Sequence, residues 1–87
     1  MTVVWSDAAL DRFSDIYAGL HLFEQRALVE TYHRINRELA DGPAGLGESR
    51  EDDIRVWITG PLVVYFRLVP GGVVQVGHVK ENKPAGG

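Results

Sequence analysis

The last third of the chain alternates apolar and polar residues with a period of two, which is typical of β-strands. Three runs rich in β-branched and aromatic residues are joined there by the turns Gly60–Pro61 and Pro70–Gly72. Turns this short connect neighbouring antiparallel strands. The pattern therefore predicts three consecutive antiparallel strands between residues 54 and 80.

The first half of the chain has the apolar spacing of amphipathic helices after a short strand candidate, Val3 to Trp5. Ser6 or Asp7 can cap the first helix. The apolar stripe of this helix is Leu10, Phe13, Ile16 or Tyr17, and Leu20. After a break near residues 19–23, a second helix over about 24–40 carries Leu28, Tyr32, Ile35 and Leu39. We predict a single α+β domain, β-α-α-β-β-β, over residues 1–83, with both helices on one face of an antiparallel sheet and a flexible tail at 84–87.

The same period of two divides the side chains of the long strands between the two faces of the sheet. The face predicted to pack on the helices carries Ile54, Val56, Ile58, Leu62, Val64, Phe66 and Leu68. The opposite, uncovered face is predicted to carry Arg55, Trp57, Tyr65 and Arg67. Aromatic rings beside arginines suit a partner protein or single-stranded RNA, whereas the alternative is an ordinary solvated face.

Composition and charge narrow the possible classes of protein. The chain has 87 residues and no cysteine, which excludes disulfides and thiolate chemistry. No apolar run approaches the roughly 20 residues of a membrane span, so we expect a cytoplasmic protein with no membrane partner. Residues 1–49 hold four arginines and eight acids, a charge of −4, while residues 50–87 hold five basic residues and four acids, a charge of +1. The sheet is mildly basic, less so than in strong nucleic-acid binders.

Few residues have a spacing that suggests chemistry. His78 and Lys80 are two apart on the last strand and point the same way, so they could serve acid–base and phosphate roles; a plain surface position is the alternative. His21 and His33 have no carboxylate at metal-ligand spacing. We therefore predict no metal site and no cofactor.

The element order and the run R-V-W-I-T-G-P-L-V-V-Y-F-R-L-V, followed by V-V-Q-V-G-H-V, resemble the RelE/ParE superfamily. These proteins are the toxins of bacterial type II toxin–antitoxin (plasmid stabilisation) systems. The local marks are L-x-x-x-P at Leu39–Pro43, G-E-S-R at Gly47–Arg50 and P-L-V-V-Y-F-R at Pro61–Arg67. The resemblance implies either cleavage of messenger RNA on the ribosome or poisoning of DNA gyrase, with neutralisation by a cognate antitoxin.

The resemblance also bears on mechanism. The ribonuclease branch has an arginine early in the strand that begins here at Leu62, another after the last strand, and a C-terminal tyrosine, and this chain matches none of them. We therefore predict a toxin-like protein that acts by binding, and a homodimer is a further possible assembly. The predicted partner-binding residues are Arg50, Trp57, Tyr65, Arg67 and Lys83. The alternatives are a ribosome-dependent endoribonuclease and a non-toxic interaction module on the same fold. The ribonuclease would use Arg50, Arg55, Arg67, His78 and Lys80.

Overall fold

Two helices follow a short strand and pack on one face of a five-stranded sheet. The computed structural model describes residues 1–49 and 53–83. Its elements are β1 (Thr2–Trp5), α1 (Asp7–Ala18), α2 (Leu22–Asp41), a 3-10 turn (Pro43–Gly45), β2 (Glu48–Ser49), β3 (Arg55–Thr59), β4 (Leu62–Val69) and β5 (Val73–Glu81). The predicted fold class is confirmed, and Arg50 and the predicted tail at 84–87 lie outside the described residues.

The strand order is β1-β5-β4-β3-β2, so the predicted consecutive strands β3, β4 and β5 are antiparallel neighbours. The sheet also has two strand pairings that the sequence analysis did not predict. The two-residue strand β2 extends the sheet beyond β3, and β1 pairs with β5 in parallel, from Thr2 opposite Val73 to Trp5 opposite Val76. A parallel pair needs a long crossover between its strands. Here the crossover contains both helices and three strands, so the sheet is mixed.

The helix boundaries follow from capping. The Ser6 hydroxyl accepts a hydrogen bond from the Ala9 N–H at 3.1 Å and caps α1. Of the two residues that the sequence offered as caps, Ser6 and Asp7, Ser6 is therefore the one used. A Glu24 carboxylate oxygen accepts the His21 N–H at 3.2 Å at the start of α2. The Trp5 indole N–H donates to the Asn36 side chain at 2.7 Å and links β1 to α2. These polar contacts fix where the helices start relative to the sheet.

The core lies between the helices and one sheet face. Its buried apolar side chains are Trp5, Ala9, Ile16, Leu28, Ile35, Leu39, Leu62, Val64, Phe66, Val74, Val76 and Val79. The predicted stripe of α2 is confirmed, although Tyr32 is only half-buried. In α1 the buried residues are Ala9 and Ile16, and the expectation that Leu10 packs inward was wrong because Leu10 is exposed. In β4 the predicted core residues Leu62, Val64 and Phe66 are buried, but Leu68, near the end of the strand, is 40% exposed.

The predicted faces of β3 were reversed. Arg55 pairs with Phe66 and Trp57 with Val64, and directly paired residues share a face, so both lie on the helix side. Trp57 is half-buried against the core, not on the uncovered face. Ile54, Val56 and Ile58 alternate with these residues and belong to the opposite face; Ile58 is 64% exposed.

The reason for the reversal is the hairpin turn. Gly60 and Pro61 form a two-residue connection, with Gly60 at φ +57°, and Thr59 pairs with Leu62. A two-residue turn pairs residue i with residue i+3, so odd-numbered residues of one strand share a face with even-numbered residues of the next. The sequence prediction gave even-numbered residues of both strands the same face, which this turn does not allow.

Candidate functional site

The sheet face turned away from the helices carries the candidate site. We call it the open face, and define it by Val56, Ile58, Val63, Tyr65, Arg67, Gln75, His78 and Lys80. Ile58, Arg67, Gln75, His78 and Lys80 are exposed. Because α1 and α2 pack on the other side of the sheet, the helices leave the open face uncovered.

A β-bulge in β5 arranges the centre of this face. Tyr65 pairs with His78 and Phe66 with Val76, which leaves Gly77 as an extra residue. The bulge lets Val76 and Val79 both point into the core, although they are three residues apart. It also places the His78 side chain on the open face opposite Tyr65.

The Ser6 side chain reaches the bulge from the end of β1. Its hydroxyl donates to the Gly77 carbonyl at 3.2 Å, and its backbone N–H donates to the Val76 carbonyl at 2.9 Å. The same hydroxyl oxygen caps α1, so one side chain connects the first helix to the irregular part of β5. The position of the bulge is therefore tied to the N-terminal elements.

Three open-face side chains form a compact group, which we call the Tyr65 cluster: Tyr65, His78 and Lys80. The Tyr65 and His78 ring centroids are 5.4 Å apart with their planes at 50°. The Lys80 ammonium lies 5.8 Å from the centroid of the Tyr65 ring, within cation–π range. An aromatic face with an imidazole and an ammonium beside it can hold an anionic or planar group.

A shallow concavity of about 370 Å³ adjoins the Tyr65 cluster. It is lined by Ser6, Ile54, Tyr65, Phe66, Arg67, Gln75, Gly77 and His78. The sequence prediction missed Ser6, Ile54 and Gln75 as part of this surface. Ile54 was missed because it was assigned to the core face. Gln75 is the direct partner of Arg67 on the neighbouring strand, so a prediction of the strand register would have placed it on the open face.

The structure brings together only part of the predicted catalytic set. Arg67, His78 and Lys80 share the open face, but Arg55 lies on the helix side, where its guanidinium donates to the Ala44 carbonyl at 3.3 Å. Of the predicted partner-binding residues, Tyr65 and Arg67 lie on the open face. Trp57 does not lie on the open face, because it pairs with the buried Val64 and therefore shares the helix side of the sheet.

The remaining predicted partner-binding residues lie elsewhere. Lys83 follows β5, and its ammonium is 3.8 Å from the Glu81 carboxylate. Arg50 lies outside the described residues. Within residues 1–49 and 53–83 there is no group of three or more acidic or histidine side chains placed to hold a metal ion. In the same ranges no helix is long and apolar enough to cross a membrane.

Comparisons with known proteins bear on the fold. No family model and no curated protein matches the chain. Among solved structures, the chain is similar to one of the chromosomal ParDE TA system from P. aeruginosa, with a TM-score of 0.74 and 19% identity over 95% of this chain and 97% of that chain. It is also similar to one of the toxin–antitoxin complex RelBE2 from Mycobacterium tuberculosis, with a TM-score of 0.65 and 20% identity over 93% and 96% of the two chains. The fold expected from the RelE/ParE resemblance is confirmed over nearly the whole chain.

Proposed function

We propose that this protein is the toxin of a bacterial type II toxin–antitoxin system, that it acts in the cytoplasm by binding a cellular target, and that a cognate antitoxin neutralises it. The observation that carries this proposal is the fold, which is shared over at least 93% of the chain with two proteins from toxin–antitoxin systems. The resemblance of the sequence to the RelE/ParE superfamily, which is based on the element order and on local runs of residues, supports the same conclusion.

The open face is the proposed contact surface for the target. Ile58 is exposed there, Val56 and Tyr65 are half-buried, and the cationic Arg67 and Lys80 lie beside them. A mixed apolar and cationic surface with a central tyrosine has the composition of a protein-binding hot spot. Binding of a protein, as ParE-like members bind DNA gyrase, therefore suits the face better than cleavage of RNA.

The geometry also argues against efficient cleavage. Breaking a phosphodiester without a metal needs several fixed charge-stabilising groups around the reacting phosphate. Arg55, one of the residues predicted for the ribonuclease, lies on the other side of the sheet. The remaining cations of the described open face are Arg67 and Lys80, and they lie on different strands, on either side of the Tyr65–His78 pair.

The Tyr65 cluster nevertheless favours one second candidate, the ribosome-dependent endoribonuclease. His78 could accept the proton of a ribose 2′-OH, while Lys80 stabilises charge on the phosphate and the Tyr65 ring stacks on a base. The observation that favours this candidate is the short separation of the three groups, 5.4 Å between the two rings and 5.8 Å from ammonium to ring centroid.

Induced expression in a bacterial host tests the proposal and separates the two candidates. We expect growth arrest that is relieved when the small protein encoded beside this gene is co-expressed. Primer extension on translated messages should show no strong codon-dependent cuts. Such cuts, lost in His78→Ala and Lys80→Ala but kept in Arg55→Ala, would establish the ribonuclease instead. Arg55→Ala is the matched control because Arg55 lies on the other face of the sheet, where its guanidinium donates to the Ala44 carbonyl. An absence of growth arrest would leave the interaction module as the function.

A further inference from the structure

The open face is cationic in a protein that is acidic overall. The chain has 12 Asp and Glu against nine Lys and Arg. On the described strands, however, the charged side chains of this face are Arg67 and Lys80, with Glu48 at the far edge opposite Val56. The acidic residues Asp7, Asp11 and Asp15 belong to α1, on the other side of the sheet. A ligand approaching the open face therefore meets positive charge that the net charge does not reveal.

Lys80 carries one of the two positive charges of this face. It pairs with Val63 across the strands, is exposed, and forms no ion pair with any carboxylate in residues 1–49 and 53–83. By contrast, Lys83 lies 3.8 Å from Glu81, and Arg34 lies 3.9 Å from Glu38. The ammonium of Lys80 lies 5.8 Å from the centroid of the Tyr65 ring and can donate to an added carboxylate without breaking an existing ion pair among the described residues.

An apolar band runs beside this charge. Val63 is only 7% exposed although it lies on the open face, between Ile58 on β3 and Lys80 on β5. Ile58 itself is 64% exposed and has the half-buried Val56 two residues before it. Neighbouring strands are about 4.8 Å apart, so the apolar edge at Ile58 and the charge at Lys80 are separated by two strand spacings, about 10 Å.

We propose that the segment of the antitoxin that covers the open face is acidic and apolar, with an aliphatic side chain against Ile58 and a carboxylate at Lys80. The inference rests on the proposed function, since it presupposes an antitoxin. Charge complementarity carries it: a carboxylate is the group that an exposed lysine without an ion pair attracts, while a basic segment would be repelled. Because successive side chains of an extended segment point to opposite sides, residues two or four positions apart share one side, about 7 or 13 Å from each other, and these two spacings bracket the separation of about 10 Å. By occupying Lys80 and Tyr65, such a segment would block the surface proposed to contact the target.

Titration calorimetry between the full chain and the protein encoded by the adjacent reading frame tests the inference. Lys80→Glu should raise Kd about tenfold or more, and Ile58→Asp should do the same. The decrease in affinity with added salt should be steep for the native chain and shallower for Lys80→Glu, because an interfacial ion pair is screened by salt. Arg26→Glu is the control: it changes the net charge equally, but Arg26 is an exposed residue of α2 on the other side of the sheet.

The possible results distinguish a failure of this inference from a failure of the proposed function. If both open-face variants fold, as judged by circular dichroism, and bind with the native Kd while the adjacent protein still relieves growth arrest, the inference is wrong and the proposed function stands. If the chain arrests no growth and the adjacent protein does not bind it, the proposed function fails and the inference with it. Self-association of the purified chain in the ultracentrifuge, lost in Lys80→Glu, would make the occupant a second copy and would also overturn the inference.

Discussion

Phe66 offers the most direct test of the packing that supports the open face. Its side chain is 1% exposed and lies in the core cluster, on the strand between Arg55 of β3 and Val76 of β5. Replacing a buried Phe by Ala removes transfer free energy and leaves a cavity, at a cost of about 3–5 kcal/mol. The expected free energy of unfolding of an 87-residue domain is roughly 4–13 kcal/mol at about 0.05–0.15 kcal/mol per residue. Phe66→Ala should therefore remove a large part of the stability.

Leu68→Ala is the matched control, on the same strand and face but 40% exposed. Three carbons at about 0.8 kcal/mol each, reduced for this exposure, give about 1.4 kcal/mol. With a urea m-value of about 1–1.5 kcal/mol/M, the unfolding midpoint should fall by about 2–5 M for Phe66→Ala. The fall for Leu68→Ala should be about 1 M. Circular dichroism at 222 nm follows both transitions. Equal losses for the two variants, or a loss under 1 kcal/mol for Phe66→Ala, would refute the described packing of β4.

Two other substitutions test local geometry. Trp57→Ala should lower the thermal midpoint clearly more than Ile58→Ala, because Trp57 packs on the core and Ile58 is exposed; the opposite order in a thermal melt would reinstate the reversed face assignment for β3. Gly47→Ala should cost about 1–3 kcal/mol in urea unfolding, since Gly47 has φ +68° and a Cβ there would lie 2.6 Å from the Val56 carbonyl oxygen. Gly45→Ala, where a Cβ meets nothing within 4 Å, should be nearly neutral, and equal effects would contradict this account.

Much of the architecture could be predicted because local pattern and tertiary contact agree. The second helix has a regular apolar stripe, and Leu28, Ile35 and Leu39 are buried as that stripe requires. The runs after residue 54 contain β-branched residues and short turns, which together leave little choice but consecutive antiparallel strands. In α1 the stripe is less regular, and the small residue Ala9 is the buried one where Leu10 was expected.

The parallel pairing of β1 with β5 could not be predicted from local pattern. The two strands lie about 70 residues apart in the sequence, and nothing within Thr2–Trp5 specifies its neighbour. The pairing depends on contacts made by the whole fold, among them the 2.7 Å hydrogen bond from Trp5 to Asn36 and the 3.2 Å hydrogen bond from Ser6 to Gly77. Strand pairing of this kind is set by tertiary packing and not by intrinsic propensity.

The sheet face on which each strand residue lies could have been predicted from the turns. The wrong assignment of the β3 residues matters for the candidate site, because it placed Arg55 and Trp57 on the open face. The two-residue turn at Gly60–Pro61 changes the parity between β3 and β4, which moves Trp57 and Arg55 to the helix side. The apolar positions of β5 carry a second signal: Val74, Val76 and Val79 are buried, and no strict period of two includes all three. A glycine between the last two is typical of a bulge.

The turn and the bulge together determine which side chains share the open face. The turn places Ile58 beside Val63, and the bulge places His78 opposite Tyr65 and Lys80 opposite Val63. Without the extra residue at Gly77, burial of both Val76 and Val79 would be impossible, and either the core or the Tyr65 cluster would be lost. The Ser6 hydroxyl, which donates to the Gly77 carbonyl and accepts from the Ala9 N–H, fixes this irregular point to the first helix. The contacts that position the candidate site are thus the same contacts that stabilise the fold. The side chains of Lys80 and Ile58 take no part in those contacts, because both are exposed on the face away from the core. Substitutions at these two positions should therefore change binding without changing the stability of the fold.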